Sequence, residues 1–302
     1  MKISRIHIVL VILLMPIGIP FAEAQQAIQV VSTTQKESYS WTDKSRLFIN
    51  GEQATIELST YGGTELKCEI VRASRHSNKE QAETDLKKLK LIADQSGKTI
   101  SLRNYVELSG SDKRPESKLK TTYKIQIPIN VKGSIEIWNY FGNITVEDIS
   151  SDMKFKLEFT NLNLTNFSGI AEMKLKYGEI NLKNISGIID LTSNRTNITI
   201  ENLTGSAEID ATYAELRILK ISKALRFAVN ADRSEIFLDI ASKTLMNYEI
   251  KTQNSEVKNL SSKQLESVTD TDGSQKYHYK AAGNTANAVI QLNTGTLNYI
   301  VQ

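Results

Sequence analysis

Between residues 134 and 223 one 18-residue unit is written five times without a gap, and no other feature restricts the folding of this chain as tightly. The units read SIEIWNYFGNITVEDISS, DMKFKLEFTNLNLTNFSG, IAEMKLKYGEINLKNISG, IIDLTSNRTNITIENLTG and SAEIDATYAELRILKISK. A unit this small cannot bury its own apolar face. It needs a neighbour on each side, so a short fixed period implies a stack.

Aligning the units gives the buried columns. Position four holds Ile137, Phe155, Met173, Leu191 and Ile209, and position eleven Ile144, Leu162, Ile180, Ile198 and Leu216. Position thirteen holds Val146, Leu164, Leu182, Ile200 and Ile218, and position sixteen Ile149, Phe167, Ile185, Leu203 and Ile221. Polar residues alternate with them, which is strand spacing rather than the three-and-four spacing of a helix. Each unit then carries two short strands, parted near position nine by Gly142, Gly178 or Ala214. The unit ends are rich in Asn, Ser and Gly. These residues suit corners, and a column of Asn166, Asn184 and Asn202 can bond from unit to unit. The expected fold is all-β: a single-stranded β-solenoid, like a parallel β-helix, with about 18 residues per coil and one short N-terminal helix.

The rest of the chain divides around that stretch. Residues 1–24 read as an export signal, with Lys2 and Arg5 ahead of an apolar run and Ala22-Glu23-Ala24 as the cleavage site. Residues 25–130 read as a β-rich region continuous with or capping the solenoid. It holds a helix at 78–91, capped by Asn78, with Ala82, Leu86 and Leu89 on one face. Residues 131–302 form the solenoid with irregular C-terminal coils. In these, a sixth unit at 224–241 carries two extra residues near its centre, and residues 288–301 make the last coil. The turn at Tyr61-Gly62-Gly63 reads as the corner of an early, irregular unit.

The whole chain has a formal net charge of +3. Removing Lys2, Arg5 and Glu23 brings it to +2, too near balance for a nucleic-acid binder. No later segment is apolar enough to cross a membrane. The single Cys68 cannot form an internal disulfide and alternates with Leu66 and Ile70 as a buried thiol would. With an export signal and no disulfide, the chain is expected in the periplasm or on the surface of a bacterium. His76 and His278 are the only histidines after the signal, and they stand in no metal-ligand spacing with Cys68. No P-loop, dinucleotide fingerprint or nucleophile elbow occurs, so the expectation is a non-enzyme with no cofactor and no metal. Sequons such as Asn143-Ile-Thr follow from the corner chemistry of the repeat.

The chain resembles the adhesin-like β-strand-repeat proteins, exported bacterial proteins common in the Bacteroidetes. The signal, the entry strand YKIQIPINV, the units NYFGNITVEDIS and KYGEINLKNISG, and the closing TGTLNYI carry the likeness. The resemblance implies a β-solenoid at the envelope with an adhesive or binding role, and it brings no catalytic residues with it. Arg195 and Ala231 depart from it, standing where the aromatic of the YG turn is expected.

The expected ligand surface lies on outward positions that break the pattern. Trp138 and Tyr140, at positions five and seven, could form an aromatic platform for a glycan or protein. Glu172, Asp190 and Glu208 would stack about 4.8 Å apart in the third column, flanked by Lys154 and Arg226. The position-eight aromatics Phe141, Phe159, Tyr177 and Tyr213 fall on the inward side by strand alternation and are expected in the core. Two other functions compete with the binding module. One is a scaffold polymerising end to end. The other is a polysaccharide-active enzyme using a carboxylate pair from the third column.

Overall fold

In the computed structural model, residues 27–110, 113–221, 223–241, 244–269, 274–281 and 286–302 are described. The export signal therefore lies outside the described residues, as does Ser222 at a unit end.

The N-terminal region supplies β1 (Gln29–Ser40), β2 (Arg46–Tyr61), β3 (Glu65–His76), helix α1 (Lys79–Lys88), β4 (Leu89–Ser96), β5 (Thr99–Val106) and β6 (Lys118–Pro128). The repeat supplies β7 (Ser134–Glu147), β8 (Asp152–Phe167), β9 (Ile170–Ile185), β10 (Ile188–Leu203), β11 (Ser206–Thr212) and β12 (Glu215–Leu219). The chain ends with β13 (Arg226–Ile240), β14 (Met246–Asn259), β15 (Glu266–Thr269), β16 (Gln275–Tyr279) and β17 (Ala286–Val301). The protein is all-β with one helix, as expected.

Consecutive repeat units pair in parallel, and each residue lies opposite its equivalent 18 positions on. Ile137 faces Phe155, Phe155 faces Met173, Met173 faces Leu191, and Leu191 faces Ile209. Strands β11 and β12 are two halves of one rung, since both pair with β10 and both with β13. Columns four, eleven, thirteen and sixteen are buried throughout. So are columns two and six, including Ile135, Ile189, Leu157 and Leu175.

Each rung bends twice at residues with left-handed backbone. One bend is at position fifteen: Asp148, Asn166, Asn184, Asn202 and Lys220 have φ between 54° and 59°. Asn tolerates that conformation, and here its side chains also bond along the stack. Asn166 donates to Asp148 (2.8 Å), Asn184 to Asn166 (2.9 Å) and Asn202 to Asn184 (2.8 Å). The other bend is at position eight, where Phe141, Phe159, Tyr177, Arg195, Tyr213 and Arg233 have φ between 47° and 60°. Position nine must then be small. A Cβ on Gly178 would lie 2.3 Å from the Thr160 carbonyl oxygen. Where Thr or Ser stands there, its hydroxyl donates to the carbonyl two residues back: Thr160 to Glu158 (2.9 Å), Thr196 to Asn194 (3.1 Å), Ser234 to Asp232 (2.8 Å).

Several irregular parts differ from expectation. The two extra residues of the sixth unit precede Arg226 rather than sit at its centre. From Ser206↔Arg226 onwards the offset is 20 residues, uniform to Leu219↔Asp239. Arg233, not Ala231, is therefore the corner residue of that rung. Strand β17 is not the last coil. It lies between β13 and β14 and pairs in parallel with both, and the hairpin β15–β16 closes that end. At the other end β2 forms a full rung against β7, although its corner is Gln53 (φ 52°) rather than Tyr61-Gly62-Gly63. Strands β5 and β6 share the next rung, and β3, β1 and β4 add antiparallel edges. Helix α1 is shorter than the expected 78–91, because the chain is already extended at Leu89. Asn78 caps it as expected, accepting from Glu80 N (2.8 Å) and Gln81 N (3.3 Å). The helix packs on β1 and β3, with Leu86 and Leu89 in a small cluster with Leu119.

Candidate functional site

One continuous feature of the described surface is the position-eight corner. Phe141, Phe159 and Tyr213 are 43%, 40% and 44% exposed, so the expectation that this column joins the core is overturned. Left-handed backbone interrupts the strand alternation and swings the side chain outward. The rings then stack at the spacing of the rungs. Phe141 and Phe159 lie 4.8 Å apart with 16° between planes, and Phe159 and Tyr177 lie 4.6 Å apart with 5°. The column continues through Arg195, whose guanidinium lies 5.8 Å from the Tyr177 ring and 5.3 Å from the Tyr213 ring. Arg195 also donates to the Tyr177 hydroxyl (3.0 Å), and Arg233 to the Tyr213 hydroxyl (2.6 Å). Six rungs thus carry an exposed ladder of three rings, an arginine, a ring and an arginine. It is about 24 Å long at ordinary strand spacing.

Because the rings lie face to face, most of their faces are covered by neighbours, and the ladder shows solvent mainly ring edges. Arg195, the resemblance's missing aromatic, keeps the stack continuous through cation–π contact instead of breaking it.

Trp138 and Tyr140 are both exposed, at 37% and 44%, yet each joins a different cluster. Trp138 meets Phe48 edge-on at 5.3 Å, donates to Glu136 Oε1 (2.8 Å) and carries the Lys156 ammonium over its ring at 4.9 Å. Tyr140 lies against the ladder, 4.4 Å from Phe141 and 5.8 Å from Phe159.

The acidic column is in register, with Glu172 opposite Asp190 and Asp190 opposite Glu208. Lysines and an arginine serve its ends. Lys154 (3.1 Å) and Lys174 (3.4 Å) reach Glu172, and Arg226 reaches Glu208 (3.3 Å) from position one, since Ala228 occupies the sixth rung of that column. The hydrogen bond from Lys154 holds the Glu172 carboxyl below its ordinary value. Cys68 is buried as expected, and burial pushes its thiol up to about 12. His76 lies on β3 and His278 on β16, toward opposite ends of the stack. Among the described residues no group of three or more His, Cys, Asp or Glu side chains could hold a metal ion. No described helix is long and apolar enough to cross a membrane.

Fold and surface together define an all-β protein of stacked parallel rungs with an aromatic–arginine corner. No protein-family model matches the chain, and no curated protein matches it. Among solved structures, one described as a "putative cell adhesion protein" from Clostridium sporogenes is 10% identical, covering 91% of this chain and all of its own, with a TM-score of 0.32. A "putative adhesin" from Bacteroides fragilis is 12% identical over 88% of this chain and 97% of its own, with a TM-score of 0.29. A "putative lipid binding protein" from Parabacteroides distasonis is 11% identical over 88% of this chain and 96% of its own, with a TM-score of 0.25.

Proposed function

We propose that this chain is an exported, non-enzymatic, adhesin-like binding module of the bacterial envelope, presenting one long repetitive surface to a glycan or protein partner. It is a single-stranded β-solenoid, a reading supported by the uniform 18-residue offset between paired rungs of the repeat. The observation that carries the function is the exposed ladder from Phe141 to Arg233, flanked by Tyr140. An aromatic–arginine ridge of this length matches an extended partner better than a compact substrate. Trp138 and the column of Glu172, Asp190 and Glu208 extend the same surface with rings and charge. Export rests on the sequence of residues 1–24.

A glycan and protein array probed with the mature chain, run beside a polysaccharide-degradation screen, tests this reading. Binding that falls on Tyr140→Ala or Tyr177→Ala, with no polymer cleaved, is the expected result. Cleavage of any polysaccharide that disappears in Asp190→Ala overturns it.

A further inference from the structure

The ladder begins at Phe141. Tyr140 is close to both Phe141 and Phe159, so it flanks the stack rather than covering it. On the side of Phe141 away from Phe159, the next rung puts Gln53 at the corner instead of a ring. The outer face of Phe141 therefore borders an open cleft of about 580 Å³, lined also by Gln53, Thr55, Asn143, Arg75, Lys118 and Lys120. That volume falls within the usual range for small-molecule sites.

Three cations line this cleft and no carboxylate does. Other clefts mix the signs: the one beside Trp138's neighbour Phe48 holds Arg46 and Lys154 with Glu136, Asp152 and Glu172. The cationic cluster is also unfavourable by its placement. Arg75 lies directly opposite Lys118 in the β3–β6 pairing. Lys120 is two residues along on the same face, where like charges repel. None of the three is ion-paired within the described residues, and all three are exposed. By contrast, Lys36, Lys90, Lys154, Lys174 and Lys183 all have carboxylate partners.

We infer that this cleft is a binding site for an acidic sugar residue. Phe141 takes the apolar face of the sugar ring, while Arg75, Lys118 and Lys120 take its carboxylate or sulfate. An aromatic face beside uncompensated cations suits a ligand that is both a ring and an anion. Asn143 and Gln53 add side-chain amides that can bond ring hydroxyls. The site specifies the ligand class for the binding module proposed above and rests on that reading.

Isothermal titration of the mature chain with an oligogalacturonate and a sulfated oligosaccharide tests the inference. A neutral cello-oligosaccharide and inorganic sulfate serve as the other arms. The expected result is binding of at least one acidic oligosaccharide, weakened by salt, with neither control bound comparably. Lys118→Gln/Lys120→Gln should lower affinity about tenfold, as should Phe141→Ala, whereas Phe141→Tyr and the distant Lys183→Gln should retain it. Circular dichroism and melting curves confirm that each variant is folded. Sulfate binding as tightly as the sugars, or affinity unchanged in the double lysine variant, overturns the inference. A neutral glycan bound in preference overturns it too while leaving the binding-module reading intact. Cleavage of the sugars instead defeats that broader reading.

Discussion

Asp85 is the residue whose environment differs most from that of the exposed acids. It sits on the buried side of α1, and its Oδ2 accepts from Glu116 N and Ser117 N, each at 3.0 Å. Lys88 approaches its other oxygen at 3.5 Å. Burial alone would raise its carboxyl. The hydrogen bonds from Gln81, Ser117 and Glu116 outweigh burial, and the net shift is downward. A lowered carboxyl stabilises the fold above its unfolded value, near pH 4, and that contribution disappears as pH falls through the folded value. The stability gap between wild type and Asp85→Asn should therefore be full near pH 6 and shrink below about pH 4. Urea melts of the two chains across that range read it. A gap that is constant with pH would mean that the charge of Asp85 contributes nothing to the helix and the segment it ties down. Sequence alone does not reveal this role, because Asp85 resembles any other polar residue of a surface helix until residues 116 and 117 are brought to it.

At the scale of the element, the corner is what makes a rung, and its chemistry is concentrated in two adjacent residues. Gly178 follows Tyr177 with φ 143° and passes the carbonyl of Thr160 too closely for any side chain. Gly178→Ala should cost about 1–3 kcal/mol, since it adds both backbone strain and a contact with a neighbouring backbone that cannot retreat. Chemical denaturation measures it, and a loss below ~0.5 kcal/mol would show that the rungs spread freely. The corner also explains what was legible in the sequence. Columns four, eleven, thirteen and sixteen named the core correctly, since burial dominates the choice of Phe155, Ile180, Leu182 and Phe167. Their numbering contains one further signal. Simple alternation cannot pass from an even column, four, to an odd one, eleven, or from thirteen to sixteen, without a break in the strand. Each change of parity marks a left-handed corner, one at position eight and one at position fifteen. Alternation carried onto the first corner itself put Phe141, Phe159 and Tyr213 in the core, and the left-handed backbone that changes the parity there is the reason they are outside. The cationic cleft was less legible. Phe141 is 66 residues from Arg75 in sequence, and only the pairing of β2 with both β6 and β7 brings them to one place.

At the scale of the whole molecule, the order of strands in space departs from the order in the chain at both ends. Strand β2 stacks on β7, which begins 73 residues after β2 ends, and β17 enters between β13 and β14. The C-terminal strand pairs along both edges over nearly its whole length, and Ile290, Leu292 and Leu297 are fully buried. A terminal rung would have had one exposed edge, open to pairing with another chain. Here β17 is internal, and the end of the stack is left to the short hairpin β15–β16. Removing residues 286–302 should therefore do more than shorten the stack by one rung. It uncovers edges of β13 and β14 together with the apolar column between them, about 13 residues of ladder on each side. The truncated chain should melt well below the full one and associate with rising concentration, read by calorimetry and by light scattering. A truncated chain that stays monomeric with an unchanged melting temperature would mean that β13 and β14 close directly on each other and that β17 is an accessory to the stack. If the expected loss is seen, adding the peptide 286–302 in trans should restore part of the melting temperature, because the slot it fills is formed by strands that precede it in the chain.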